Sequence, residues 1–268
     1  MNDKCIEVLQ QLTGKGHVLF TQRGNFAIRL ALKLVKNLGY ARVLLQDQGG
    51  WITYKQFCEK EKLEIVELKT DYGLVEPDDL KDYSDCVLLI NSMPGYVALQ
   101  DMKPIAEICQ AHHIFIINDI SGSIDTDEAK FGDIILGSFA HDKPVNIDGH
   151  GGFMAIDNDD DFAFLEKNNP AAELDFASLI GRLYNLSKRL SVLQTFRDRL
   201  IREVEEAGLA DNILHREHNG INLIVKYSSA DEKEKLINLA EKERLEFTLC
   251  PRDIRVNIEA VCFEIKRR

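Results

Sequence analysis

The chain predicts an α/β fold: a mainly parallel sheet with flanking helices, followed by a small α+β segment at the C-terminal end. Three observations predict it. Short apolar or β-branched runs alternate with amphipathic stretches of about ten or more residues through the first two thirds, the pattern of parallel strands joined by crossover helices. From Pro170 the character changes to a long, charge-rich helical stretch ending near Ala207, and a compact mixed tail follows. At 268 residues, the chain can bury one large core, or one core and a small appended domain.

The expected strands are HVLFT (17–21), RVLLQ (42–46), EIVEL (64–68), CVLLIN (86–91), IFIIN (114–118), DIIL (133–136) and GFMAI (152–156). Helical patterns fill 25–38, 52–61 and 101–112, while the acidic run 157–161 reads as a turn after a strand. The tail reads as a strand over 221–226, a helix over 231–244, strands near Glu246 and Ile254, and a last helix from Glu259. This divides the chain into a large α/β domain, 1–169, and a long helix with a small α+β domain, 170–268. Ligands of open parallel sheets bind beyond the carboxyl ends of the strands, and Thr21, Asn91 and Asp119 lie at or just past such ends.

Composition narrows the function. Hydrophobic residues make up 45% and charged residues 29%, as in ordinary globular proteins. With 33 basic against 44 acidic residues the net charge is −11, and the one basic block is Lys266-Arg267-Arg268. That balance speaks against sequence-independent nucleic-acid binding and against attraction to an anionic membrane. The apolar runs are too short to span a bilayer, and the first residues lack the apolar core of a secretory signal. Six scattered cysteines read as reduced thiols of a cytoplasmic protein, several of them in the core, and no metal-ligand spacing is apparent. No G-x-G-x-x-G follows the first strand, which disfavours a Rossmann-type nucleotide module.

The most informative chemistry lies between positions 114 and 152. An acid, Asp119, ends an apolar strand; Ser138 ends a second, and Lys143 follows five residues later. A pyridoxal 5'-phosphate site needs these groups in such places: an amine for the Schiff base, a carboxylate to keep the pyridine nitrogen protonated, and a hydroxyl for the phosphate. Lys143 precedes Pro144, which constrains its backbone near the crevice. Each residue also has an ordinary explanation: a solvated loop lysine, a turn or capping aspartate before Ser121-Gly122, a strand-end serine. Their order and positions together favour the cofactor.

Several motifs over roughly residues 10–200 resemble the DegT/DnrJ/EryC1/StrS sugar aminotransferases, which are fold-type-I pyridoxal-phosphate enzymes. They are Arg23-Gly24-Asn25-Phe26-Ala27, Ile116-Ile117-Asn118-Asp119, Ser138-Phe139 with Lys143, Gly151-Gly152 and Tyr184-Asn185-Leu186-Ser187. The helical pattern over 101–112 resembles the helix before the family's aspartate strand. The resemblance implies that Gly24, Asn25 and Phe26 open a helix onto the phosphate, that Trp51 stacks on the cofactor ring, and that Asn185 reaches the phosphate of a neighbouring subunit. A homodimer with a shared site follows from that last role. His150, standing where the family often has Glu, and Arg255, on the tail, are candidates for substrate contact. Two departures stand out. The family has Thr-Ala where Asn25-Phe26 stand, and a Gln or His three residues after the aspartate, where this chain has Gly122.

The resemblance implies transfer of an amino group from a small-molecule donor such as glutamate to a keto acceptor, with a nucleotide sugar among the candidate acceptors. The alternatives are another reaction of the same lysine–cofactor linkage (elimination, decarboxylation or aldol cleavage), or a catalytically degenerate dimeric binding protein. The region after Ala207, reduced to about sixty residues, is short for the family and normally helps shape the substrate pocket.

Overall fold

The computed structural model describes residues 1–268, and in it the seven apolar runs form one sheet. Its strands are β1 (His17–Thr21), β2 (Arg42–Gln46), β3 (Glu64–Leu68), β4 (Val87–Asn91), β5 (Phe115–Asp119), β6 (Ile134–Ser138) and β7 (Gly152–Ile156). The order is β1-β7-β6-β5-β4-β2-β3. All neighbours from β3 to β6 are parallel, and β7 runs antiparallel between β6 and β1. The sheet is therefore mainly parallel, as the alternation predicts.

Burial on both faces explains why the strands read as continuous apolar runs. On β2 and β4, Val43, Leu45, Val87 and Leu89 pack toward α2 (Gly24–Asn37) and α3 (Thr53–Glu61). The alternate residues Leu44, Leu88 and Ile90 pack with Met102, Ile105 and Cys109 of α4 (Met102–Ala111). The largest buried cluster takes residues from both sides of position 170: Leu9, Phe139 and Phe153 share it with Leu200, Ile221 and Phe263. All six cysteines are free and buried.

Five features differ from the sequence reading. The chain begins with a helix, α1 (Asn2–Thr13), which buries Cys5, Leu9 and Thr13. The acidic run opens α5 (Asp159–Asn168): Asn158 caps it by accepting from the Asp161 N–H at 2.9 Å, and acids in a first turn suit the helix dipole. The long helix is two, α6 (Phe176–Tyr184) and α7 (Leu186–Glu206), broken at Asn185, whose Nδ2 donates back to the Gly181 carbonyl. In the tail, α8 (Ala230–Lys242) packs on an antiparallel sheet of β8 (Leu223–Lys226), β9 (Phe247–Cys250) and β10 (Ala260–Phe263), ordered β8-β10-β9. Ile254 lies in a turn between β9 and β10, and the expected last helix is the central strand β10. A short helical turn, Ile265–Arg267, follows β10.

Candidate active site

A cleft of about 280 Å³ opens beyond the carboxyl ends of the parallel strands, close to the lower end of small-ligand sites. β4 contributes Asn91 to it, β5 Asp119, and β6 Ser138; Gly24 enters from the start of α2, and Trp51 from the loop after β2. Lys143 reaches it from the loop between β6 and β7. Of the ten residues singled out in the sequence, Gly24, Asn25, Trp51, Asp119, Ser138, Lys143 and Arg255 line this cleft. Phe26 packs against the core under α2, and Asn185 lies in a separate groove with Arg182, Lys188, Arg189 and Arg268. His150 is exposed outside the cleft wall, and His141 lines it instead.

Asp119 is 5% exposed, so its carboxylate needs partners. Tyr54 donates its hydroxyl to Oδ2 at 2.6 Å, and the Ser121 N–H donates to Oδ1 at 2.9 Å. Burial first, and then the Asp119 charge, push the Tyr54 phenol well above its usual range, so it remains a neutral donor. A carboxylate offers about four acceptor sites, and two donors leave room for a third from the cleft.

Lys143 donates from Nζ to the Tyr96 hydroxyl. The same nitrogen lies 4.8 Å from the Tyr96 ring centroid and 5.1 Å from that of Trp51, within cation–π range. Trp51 is held in turn by Asn25, whose Oδ1 accepts from the indole Nε1 at 2.8 Å. The Tyr96 ring also occupies the space beside Gly122: a Cβ there would lie 2.8 Å from Tyr96 Cδ1. Glycine at 122 thus makes room for an aromatic ring against the lysine. Tyr96 has φ of 65°, a left-handed backbone that is costly for a bulky residue.

The start of α2 is tightly packed. A Cβ on Gly24 would come within 2.6 Å of Ser138 Cβ, and one on Gly152 within 2.7 Å of the Gly24 nitrogen. Arg23 occupies the cap position in extended conformation with no side-chain hydrogen bond to the helix. The first N–H groups of α2 therefore lack a capping side chain where Gly24 and Asn25 line the cleft, as an anion site requires. Ser138 Oγ accepts from the Ala140 N–H at 3.2 Å and keeps its own proton to donate.

Arg255 is engaged elsewhere. Its Nε and one terminal nitrogen form a two-pronged contact with the fully buried Glu264, at 2.9 and 2.8 Å. Lys266 and Arg267 also line the cleft and approach the same carboxylate, at 3.7 and 3.8 Å. Tyr54, Tyr96 and Lys266 are the site residues that sequence reasoning missed. Tyr54 carried one faint signal, its place three residues after Trp51 at the start of a helix beside the cleft.

Residues 185–267 match the MJ1341 family C-terminal domain. No curated protein matches the chain by sequence. Solved structures match across nearly the whole length. A histidinol-phosphate aminotransferase from Clostridium acetobutylicum superposes with a TM-score of 0.75 at 14% identity, covering 98% of this chain and 83% of that one. An E. coli GDP-4-keto-6-deoxy-D-mannose-3-dehydratase with bound hydrated PLP gives 0.73 at 13%, covering 92% and 76%. A DegT DnrJ EryC1 StrS aminotransferase from Brucella abortus gives 0.69 at 14%, covering 98% and 84%. The chain has the fold-type-I architecture these proteins share, as the motifs led us to expect.

Proposed function

We propose that the chain is a pyridoxal-phosphate-dependent aminotransferase, moving an amino group from an amino acid to a keto substrate, with Lys143 as the amine that attaches the cofactor. One observation carries this reading: the Lys143 amine, the Trp51 ring and the Asp119 carboxylate converge on one cleft at the strand ends. When bound, the cofactor supplies a conjugated ring that withdraws negative charge from the donor's Cα.

The chain's own groups do the rest. Asp119, oriented by Tyr54 and Ser121, offers its remaining acceptor site to a ring N–H. Trp51, fixed by Asn25, offers a face for stacking, worth on the order of 1 kcal/mol. The α2 amides and the Ser138 hydroxyl receive a phosphate, and the cleft's cations suit it in a chain of net charge −11. Lys143 acts as nucleophile when neutral, and once displaced by the donor it moves a proton from the donor's Cα, with the Tyr96 hydroxyl holding Nζ. The resemblance supports a keto group on a nucleotide sugar as acceptor and glutamate as donor. A homodimer completes the reading: Asn185 lies outside this chain's cleft, so it would meet a phosphate only in a second copy.

Purified protein given pyridoxal phosphate should turn yellow, and borohydride should fix the label on Lys143. Lys143→Ala should abolish both while leaving the far-UV circular dichroism unchanged. A colourless wild type, or a label elsewhere, rejects the reading. A second reaction class, loss of a hydroxyl, is favoured by one observation: the E. coli relative is a 3-dehydratase. Product analysis separates the two: transamination delivers the donor's nitrogen onto the keto acceptor, whereas loss of a hydroxyl gives a deoxygenated product with no new amine.

A further inference from the structure

The turn after β10 brings two cations onto the residue that precedes Lys143. Lys266 Nζ donates to the Asp142 carbonyl at 3.1 Å, and Arg267 Nε lies 3.3 Å from the Asp142 carboxylate. Asp142 itself has φ of 65°, in the left-handed region that Asp and Asn enter more readily than other non-glycine residues. The turn is anchored independently of the loop it holds. The Lys266 N–H donates to Asn222 Oδ1 at 3.3 Å, and Arg189 of α7 donates to the Lys266 carbonyl at 3.2 Å. Lys266 is 3% exposed although it lines the cleft, and its Nζ sits 4.8 Å from the Tyr96 ring centroid, the distance Lys143 also keeps. The catalytic reading gives this buried amine no step beyond its share of the cleft's positive charge.

We infer that Lys266 and Arg267 are positioning residues, a two-point latch on Asp142 that holds the Lys143 loop so that Nζ rests on the Tyr96 hydroxyl facing the cleft. The inference rests on the reading of Lys143 as the reacting amine. Without the latch the loop is free to move, and the Lys143 amine leaves Tyr96 for solvent. The latch is sensitive to pH. Burial first brings the Lys266 ammonium down to about 8; Glu264 opposes that, while Arg255, Lys143 and Arg267 add to it. Asp142 and the Tyr96 ring are the other groups facing it. Above that pH the charge-assisted bond to the Asp142 carbonyl becomes an ordinary amine contact.

Two readouts on the full chain test this, one of them independent of the cofactor. The first is the rate at which acetyl N-hydroxysuccinimide modifies Lys143, mapped by mass spectrometry. The second is the rate of borohydride-fixed labelling of Lys143 by pyridoxal phosphate. Lys266→Met should raise the first and lower the second by about fivefold, the effect of losing roughly 1 kcal/mol of hydrogen bonding. Asp142→Asn, which tolerates the left-handed backbone and removes the Arg267 ion pair, should move both the same way. Lys266→Gln keeps a donor without a titrating charge, so it should restore both rates. The wild-type advantage over Lys266→Met in the second readout should narrow above about pH 8, and that of Lys266→Gln should not. Unchanged Lys143 acetylation in folded Lys266→Met and Asp142→Asn overturns the latch. A wild type that pyridoxal phosphate never labels, with the acetylation differences intact, overturns the functional reading and leaves the latch standing.

Discussion

Gly24 and Ser138 sit closer than any side chain on the glycine would allow, with a Cβ placed 2.6 Å from one serine atom and 2.9 Å from another. Gly24→Ala must therefore push Ser138 or the start of α2 aside, at about 1–3 kcal/mol for overpacking. Thermal unfolding should shift down accordingly, and pyridoxal phosphate should bind more weakly; an unchanged Tm would show that the contact is soft. Tyr54→Phe probes the opposite side of the cleft. It removes the hydroxyl that donates to Asp119, leaving a buried carboxylate with one protein donor and costing roughly 1–3 kcal/mol in a denaturant titration. An equal midpoint in urea would mean that Asp119 finds water instead. The cleft residues legible in the sequence were Asp119 and Ser138 at strand ends and Lys143 in the loop that follows, with Gly24 and Trp51 beside them. Tyr54 was not legible because it acts on a residue 65 positions away, a pairing that only sheet order creates. Lys266 looked like part of a basic terminus, and only the return of the chain after β10 carries it into the cleft.

At the scale of elements, the strands were readable because burial on both faces leaves an uninterrupted apolar run, and all five residues of β4 are buried. The errors fell where local signals competed. The acidic stretch 157–161 is as good a turn as a helix start, and what decides it is the Asn158 cap with three acids in the first turn. Asn158→Ala should cost about 1 kcal/mol, seen as a lower Tm with the cleft's ligand affinity unchanged. A loss of ligand affinity in that variant would show that α5 supports the site, which it does not line. Ala260–Phe263 suits a helix as well as a strand, being a short apolar run next to charged residues with no periodicity to separate the two. Its place between β8 and β9 settles it through long-range pairing that a local pattern cannot carry. α1 was legible in principle, since Cys5, Leu9 and Thr13 recur at helical spacing on its buried side.

For the molecule as a whole, Glu264 is the point where the small sheet and the cleft meet. Its carboxylate is fully buried and takes Arg255 in two bonds, Thr248 at 2.7 Å and Asn222 at 3.2 Å, with Lys266 and Arg267 just beyond. Removing that charge leaves two buried cations, Arg255 and Lys266, and the exposed Arg267 without their common partner. Glu264→Gln should therefore destabilise by about 3–5 kcal/mol at neutral pH. Burial alone would raise the Glu264 carboxyl, but Arg255 and Lys266 outweigh it and hold the group below the usual glutamate range. A carboxyl depressed in the folded state contributes stability that is fully present above its unfolded value, near 4.3, and is lost as pH falls through the folded value. The wild type should lose this contribution in acid, whereas Glu264→Gln has none to lose. The gap in unfolding free energy between the two should thus be constant from pH 7 to about 5 and close progressively below about 4. A gap that persists undiminished at pH 3 would mean that shape and hydrogen bonding, rather than charge, make Glu264 the joint between the tail and the Lys143 loop.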